Sequence, residues 1–200
     1  MKSRGRPRKF DLDTALQQAM HVFWQKGFSA TSLDDLGDAM GMNRPSIYNA
    51  FGNKEAIYRQ SLATFCGKLD DGIRTCLSEQ IDLRKGLDDF FAKALDLYCM
   101  TQPSPGCLMI CTAPAEALNN SAVREDLLSL IKRVDKVLEE NVSAAIGNKQ
   151  IADDTNPRLL AMHIQSTLHA IALRARAGEA KNGLKKYATF AVSQLPWTEN

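Results

Sequence analysis

Residues 27–55 read GFSATSLDDLGDAMGMNRPSIYNAFGNKE, and the punctuation of this stretch decides the fold. Ser32 followed by Asp35 fits a capping box, in which hydroxyl and carboxylate satisfy the free N–H groups of a helix start. The helix it opens is short, because Gly41 stops it. After the turn Gly41-Met42-Asn43, another short helix begins. Asn43 is its N-cap, and Pro45 falls in its first turn, where a missing N–H costs nothing. It ends near Phe51-Gly52, and Asn53 can cap the helix after it. Two short helices around a glycine-led turn make a helix-turn-helix. Such a unit lays its second helix in the major groove of DNA, with N-terminal residues at base edges.

The side chains of that second helix divide accordingly. Ile47 and Phe51, four residues apart, share a face and are expected to pack on the preceding helix. Arg44, Ser46, Tyr48 and Asn49 are left to point outward, with Pro45 among them. Arg pairs bidentately with guanine, while Tyr and Asn suit phosphate or base edges. Thr31 and Ser32 open the first helix of the pair, and helix N-termini attract phosphate. Lys54 is expected to reach the flanking backbone. The arm Arg4-Gly5-Arg6-Pro7-Arg8 reads as a minor-groove element, in which Arg4, Arg6 and Arg8 enter a narrow groove.

Outside this stretch the chain of 200 residues reads as helices throughout. Leu12, Ala15, Leu16, Ala19, Met20 and Phe23 form an apolar stripe at helical spacing over residues 12–26. Further stripes predict helices over about 54–78, 84–101, 107–118, 122–146, 157–177 and 182–194, the segment 103–106 being a clear break and Pro114 a candidate kink. The expected fold class is all-α, with about nine helices. Net charge is only +2, but the first ten residues hold five basic groups and no acidic one. A basic arm on a nearly neutral body points to a local polyanion contact. No secretory pattern and no apolar run of about 20 residues is present, so a soluble, cytoplasmic protein is expected. Five cysteines without zinc-finger spacing are expected to be free thiols there.

The run from Gly27-Phe28-Ser29-Ala30-Thr31-Ser32, through Met40-Gly41-Met42-Asn43, to Tyr48-Asn49-Ala50-Phe51-Gly52-Asn53-Lys54-Glu55 resembles the DNA-binding signature of the TetR/AcrR repressor family. The match extends over residues 10 to 58, with one departure at Pro45, where many members have a small or flexible residue. The resemblance implies a homodimer whose N-terminal domain, residues 1–57, binds a palindromic double-stranded DNA operator. It implies a helical domain, residues 58–200, that dimerises and releases DNA when a small-molecule inducer enters. No cofactor is expected.

Candidate inducer contacts are Phe65, Tyr98, Cys107, Met109, Cys111 and His163. Cys107 and Cys111 lie four apart on one helix face. Two readings stand for them: small buried hydrophobes, or a thiol sensor, since some TetR-like proteins carry a segment like Gly106-Cys107-Leu108 whose thiol responds to reactive compounds. Leu160, Ile164, Thr167, Leu168 and Ile171, with Tyr187, Phe190 and Ala191, are either buried inside the monomer or form a dimer seam of four helices, and the resemblance implies the seam. His163 and His169, six apart, stand about 120° apart around a helix and make no shared metal site. Enzymatic signatures such as GxGxxG, a P-loop, HExxH or a nucleophile elbow are missing, so no enzyme is expected. An architectural DNA binder would not need a helical domain of some 140 residues. Activation and repression are not separable by sequence, because the position of the operator decides between them.

Overall fold

The computed structural model describes residues 11–77 and 82–198. Among the described residues it holds nine helices: α1 (Leu12–Lys26), α2 (Leu33–Met40), α3 (Arg44–Phe51), α4 (Lys54–Cys76), α5 (Leu83–Tyr98), α6 (Leu108–Ala117), α7 (Ser121–Gly147), α8 (Pro157–Arg176) and α9 (Lys181–Ser193). The one extended pairing described is an isolated antiparallel bridge between Ile151 and Trp197. The chain divides into two units that meet between Leu62 and Ala63, so that α4 contributes to both.

In the first unit the caps of α2 and α3 lie where the sequence places them: Ser32 and Asp35 form the reciprocal box of α2, and Asn43 accepts from the Ser46 N–H at the start of α3. Asp11, which the sequence analysis did not single out, caps α1. Gly41 takes up left-handed backbone, φ 63° and ψ 31°, which a side chain would disfavour and which turns the chain from α2 into α3. The core gathers Met20, Phe23, Trp24, Leu36, Ile47, Ile57 and Tyr58, all fully or nearly fully buried. Phe23 meets Tyr58 edge-on with ring centroids 5.1 Å apart, and Phe28 lies 5.0 Å from the same ring. So small a unit relies on such large aromatic areas for its packing.

The second unit is a helical body in which α8 packs against α7, α6, α5 and α9. Small side chains on α8, Ala161, Ala172 and Ala175, are fully buried and allow close approach. At the 103–106 break, Gly106 (φ 68°) lies so near α8 that a Cβ would stand 2.5 Å from the Ala172 carbonyl oxygen. Only glycine fits there. Arg176 of α8 donates to the Pro105 carbonyl at 3.0 Å and fixes the same corner. Pro114 does not interrupt α6, which continues to Ala117.

Candidate nucleic-acid interface and internal cavity

The geometry of the helix-turn-helix starts from its buried side. Ile47 is wholly buried and Phe51 nearly so, which fixes the rotation of α3 about its axis. Arg44, Pro45, Tyr48 and Asn49 are consequently exposed and Ser46 is half-buried. Tyr48 leaves 51 % of its surface free. Arg44 does not extend freely. Its Nε and Nη2 donate to the two carboxylate oxygens of Asp34 at 2.9 and 2.7 Å. The guanidinium beside Asp34 holds that carboxyl below the usual range.

The neighbouring first turn of α2 is equally well connected. Ser32 Oγ accepts from the Asp35 N–H at 3.0 Å, while the Ser32 N–H and hydroxyl both donate to Asp35 Oδ2 at 2.9 Å. Lys26 Nζ donates to Asp35 Oδ1 at 2.6 Å. These bonds to the ionised form, the one from Lys26 foremost, hold the Asp35 carboxyl down at about 2.

Two expected phosphate ligands turn inward instead. Thr31 is buried, and its hydroxyl donates to the Gly27 carbonyl at 2.6 Å. Closing the turn between α1 and α2 takes the group expected to meet a phosphate. Lys54 Nζ donates to the Phe28 and Thr31 carbonyls at 3.0 and 2.9 Å and lies 4.2 Å over the Phe28 ring. Two of its three N–H donors are thus committed to holding the same turn. Lys54 opens α4 and Thr31 stands just before the Ser32 cap of α2, and no sequence signal shows that the carbonyls of Gly27, Phe28 and Thr31 take them as partners. Arg4, Arg6 and Arg8 lie outside the described residues.

The second unit encloses a small cavity lined by Leu69 of α4, Tyr98 of α5, Cys107, Ile110 of α6, Leu130, Ile131 and Val134 of α7, and Gln165, Leu168 and His169 of α8. Its volume of about 10 Å³ for water-sized spheres is room for about one water. No lining residue carries a fixed charge. Burial pushes the His169 imidazole below its ordinary range, so it is neutral at pH 7. Burial pushes the Cys107 thiol up to about 12 and raises the Tyr98 phenol as well. Cys107 is therefore a protonated thiol in this state, as its reading as a small hydrophobe requires.

Of the expected inducer contacts, Tyr98 and Cys107 line this cavity. Phe65 and Met109 are buried but are not among its lining residues. Cys111 is half-buried with its sulfur 3.6 Å from the Ala172 carbonyl. His163 is exposed, a correction that follows from its angular offset from His169 on α8. Gln165 and His169 were missed, although a Gln and a His four apart within the apolar stripe of α8 mark this face.

The expected seam is corrected in the same way. Ile164, Thr167, Leu168 and Ile171 are buried inside the unit, with Leu160, Tyr187 and Ala191 half-buried. The free apolar surface on these helices belongs to Leu159, Met162, Leu173 and Phe190, exposed by 45 % to 63 %. Only Phe190 is common to both sets.

Residues 15–60 match the family model of bacterial regulatory proteins, tetR family, and residues 83–190 match the tetracyclin repressor-like C-terminal domain. The HTH-type transcriptional repressor ComR of Escherichia coli K12 is 29 % identical over 196 residues, covering 98 % of this chain and 93 % of ComR. A cysteine mutant of the TetR family transcriptional regulator CifR, solved with a 26-bp double-strand operator DNA, superposes with a TM-score of 0.84 at 30 % identity, covering 96 % of this chain and all of that one. A TetR regulator from Chloroflexus aurantiacus, at 19 % identity and a TM-score of 0.81 over 94 % of this chain and 96 % of its own, shares the fold. The all-α architecture, the helix-turn-helix at its N-terminal end and the matches along both units together make this chain a member of the tetR family of bacterial transcriptional regulators, DNA-binding proteins and not enzymes.

Proposed function

We propose that the protein represses transcription by binding a palindromic operator as a homodimer and that a small molecule entering the second unit releases it. The observation that carries the reading is the outward row Arg44, Ser46, Tyr48 and Asn49 on a helix whose other side is locked by Ile47 and Phe51. Arg44 is assigned to a guanine edge, Tyr48 and Asn49 to phosphate or base edges, Ser46 and Pro45 to the close approach of the helix start, and Ser32 to a flanking phosphate. Residues 1–57 form the DNA-binding domain on this reading, and residues 58–200 form the sensing and dimerising one.

The dimer is assigned to the exposed apolar faces of α8 and α9 around Leu159, Met162, Leu173 and Phe190. Two such helices from each protomer make a four-helix seam. The two recognition helices then address successive major grooves about 34–36 Å apart. The inducer is assigned to the cavity around Tyr98, Gln165 and His169. Its uncharged, mostly apolar lining suits an uncharged, largely apolar molecule with one hydrogen-bonding group. At about 10 Å³ the cavity must open to admit it. A ligand that fits only the opened state lowers DNA affinity through linkage, and DNA lowers ligand affinity by the same factor. Such a regulator works where bacterial DNA is, in the cytoplasm.

Selection of bound duplexes from a random library tests the reading. A two-fold symmetric consensus is the expected result. Enrichment of AT-rich tracts without symmetry would overturn it in favour of binding dominated by the basic arm.

A further inference from the structure

The first turn of α2 carries two carboxylates side by side, Asp34 and Asp35, and each meets a cation. Asp35 is explained by the capping box. Asp34 takes no part in that box, and both its oxygens are given to Arg44. The two side chains remain 68 % and 60 % exposed, and so open an ion pair adds little to stability. What it does add is orientation. The guanidinium is planar with five N–H donors, and a bidentate carboxylate fixes the plane. Asp34 takes the Nε–H and one hydrogen of Nη2, the side edge of the fork. The end edge, one hydrogen each from Nη1 and Nη2, is left, and this is the pair of donors that matches O6 and N7 of guanine.

We propose that Asp34 is a positioning residue for DNA reading: it holds Arg44 by its side edge so that its end edge is presented to a guanine in the major groove. The inference rests on the base-reading role assigned to Arg44 above. The chemistry of the site agrees in two respects. The pairing keeps the Asp34 carboxyl below its ordinary range, so it is ionised at neutral pH. A lone carboxylate on a DNA-facing surface repels phosphate, whereas one bound to Arg44 is neutralised and leaves the long arginine fewer ways to reach other bases.

Parallel selections from a random duplex library with wild type, Asp34→Asn, Arg44→Ala and the double variant test this, together with a thermal melt of each by circular dichroism. The wild-type consensus is expected to hold a guanine in each half-site that Arg44→Ala no longer selects. Asp34→Asn should loosen that same guanine by about tenfold and leave the other positions intact. It should bind unselected duplex as well as wild type or better, having shed a negative charge. The double variant should be no looser at that position than Arg44→Ala alone. An Asp34→Asn protein that keeps the guanine preference while Arg44→Ala loses it would overturn the positioning role and leave DNA reading by α3 intact. Uniform weakening at all positions, with a lowered melting temperature, would reduce Asp34 to a structural role. A wild-type consensus that Arg44→Ala leaves unchanged would remove the base-reading assignment itself, and the inference with it.

Discussion

Thr31 and Lys54 are polar side chains at helix starts, and each had an alternative closer than any phosphate. Thr31 closes on Gly27, and Lys54 ties down the carbonyls of Phe28 and Thr31. Thr31→Val, which keeps the shape and removes the hydroxyl, is therefore expected to lower stability by about 1 kcal/mol and to leave the affinity of the folded protein for DNA close to wild type. Denaturant unfolding and a duplex titration of the same preparation check the two halves. Cys107 is buried, and its thiol is pushed up to about 12. Iodoacetamide is expected to leave it unlabelled in the native protein and to label it after unfolding, as peptide mass mapping would show. Rapid native alkylation at Cys107 would instead support a reactive thiol. Of these residue-level roles the sequence showed little, because hydrogen-bond partners such as the Gly27 carbonyl are set by the path of a turn and not by residue type.

At the scale of the element, helix boundaries in the first unit were legible because their signals are local. Ser32, Gly41, Asn43 and Pro45 each act on backbone within four residues. Removing the α3 cap with Asn43→Ala should cost about 1 kcal/mol, read as a lowered Tm. The α2 cap also gives a pH dependence with a definite sign. The Asp35 carboxyl titrates at about 2 in the fold against an ordinary 3.8, so folding favours its ionised form. Its stabilisation is complete above the ordinary value and is lost as pH falls towards about 2. Asp35→Asn is expected to make Tm fall less steeply with pH between about 4 and 2, measured by circular dichroism. What the α8 stripe packs against was not legible. Ala161, Ile164, Leu168 and Ile171 lie inward while Leu159, Met162 and Leu173 lie outward, and a helix apolar on both sides gives periodicity no preferred face. The two faces respond differently to charge. Leu173→Glu should yield a folded monomer by light scattering, whereas Ile164→Glu should fail to fold. A dimeric Leu173→Glu protein would contradict the seam assigned to that face.

At the scale of the whole molecule, charge is unevenly shared. Between residues 11 and 62 the chain holds Lys26, Arg44, Lys54 and Arg59 against Asp11, Asp13, Asp34, Asp35, Asp38 and Glu55. The DNA-binding unit without its first ten residues is thus net negative, and the positive balance comes from Lys2, Arg4, Arg6, Arg8 and Lys9. Removing residues 1–10 is expected to weaken binding to every duplex. It should also flatten the salt dependence by roughly one unit of log–log slope for each phosphate that the arm neutralises. Fold class was legible in the sequence, since stripe, cap and turn signals all agree. The cavity was not. Its lining comes from α4 to α8, and no single stretch of sequence brings those residues together.

The measurement that bears most directly on α3 as the DNA-reading element is a fluorescence-anisotropy titration of wild type, Tyr48→Ala and Arg44→Ala against a duplex selected by the wild-type protein and against the same duplex with its half-sites scrambled. Tyr48→Ala should bind both duplexes more weakly. Arg44→Ala should lose most of the difference between them. Variants that bind the selected duplex with wild-type affinity and preference would show that another surface of the molecule faces the DNA.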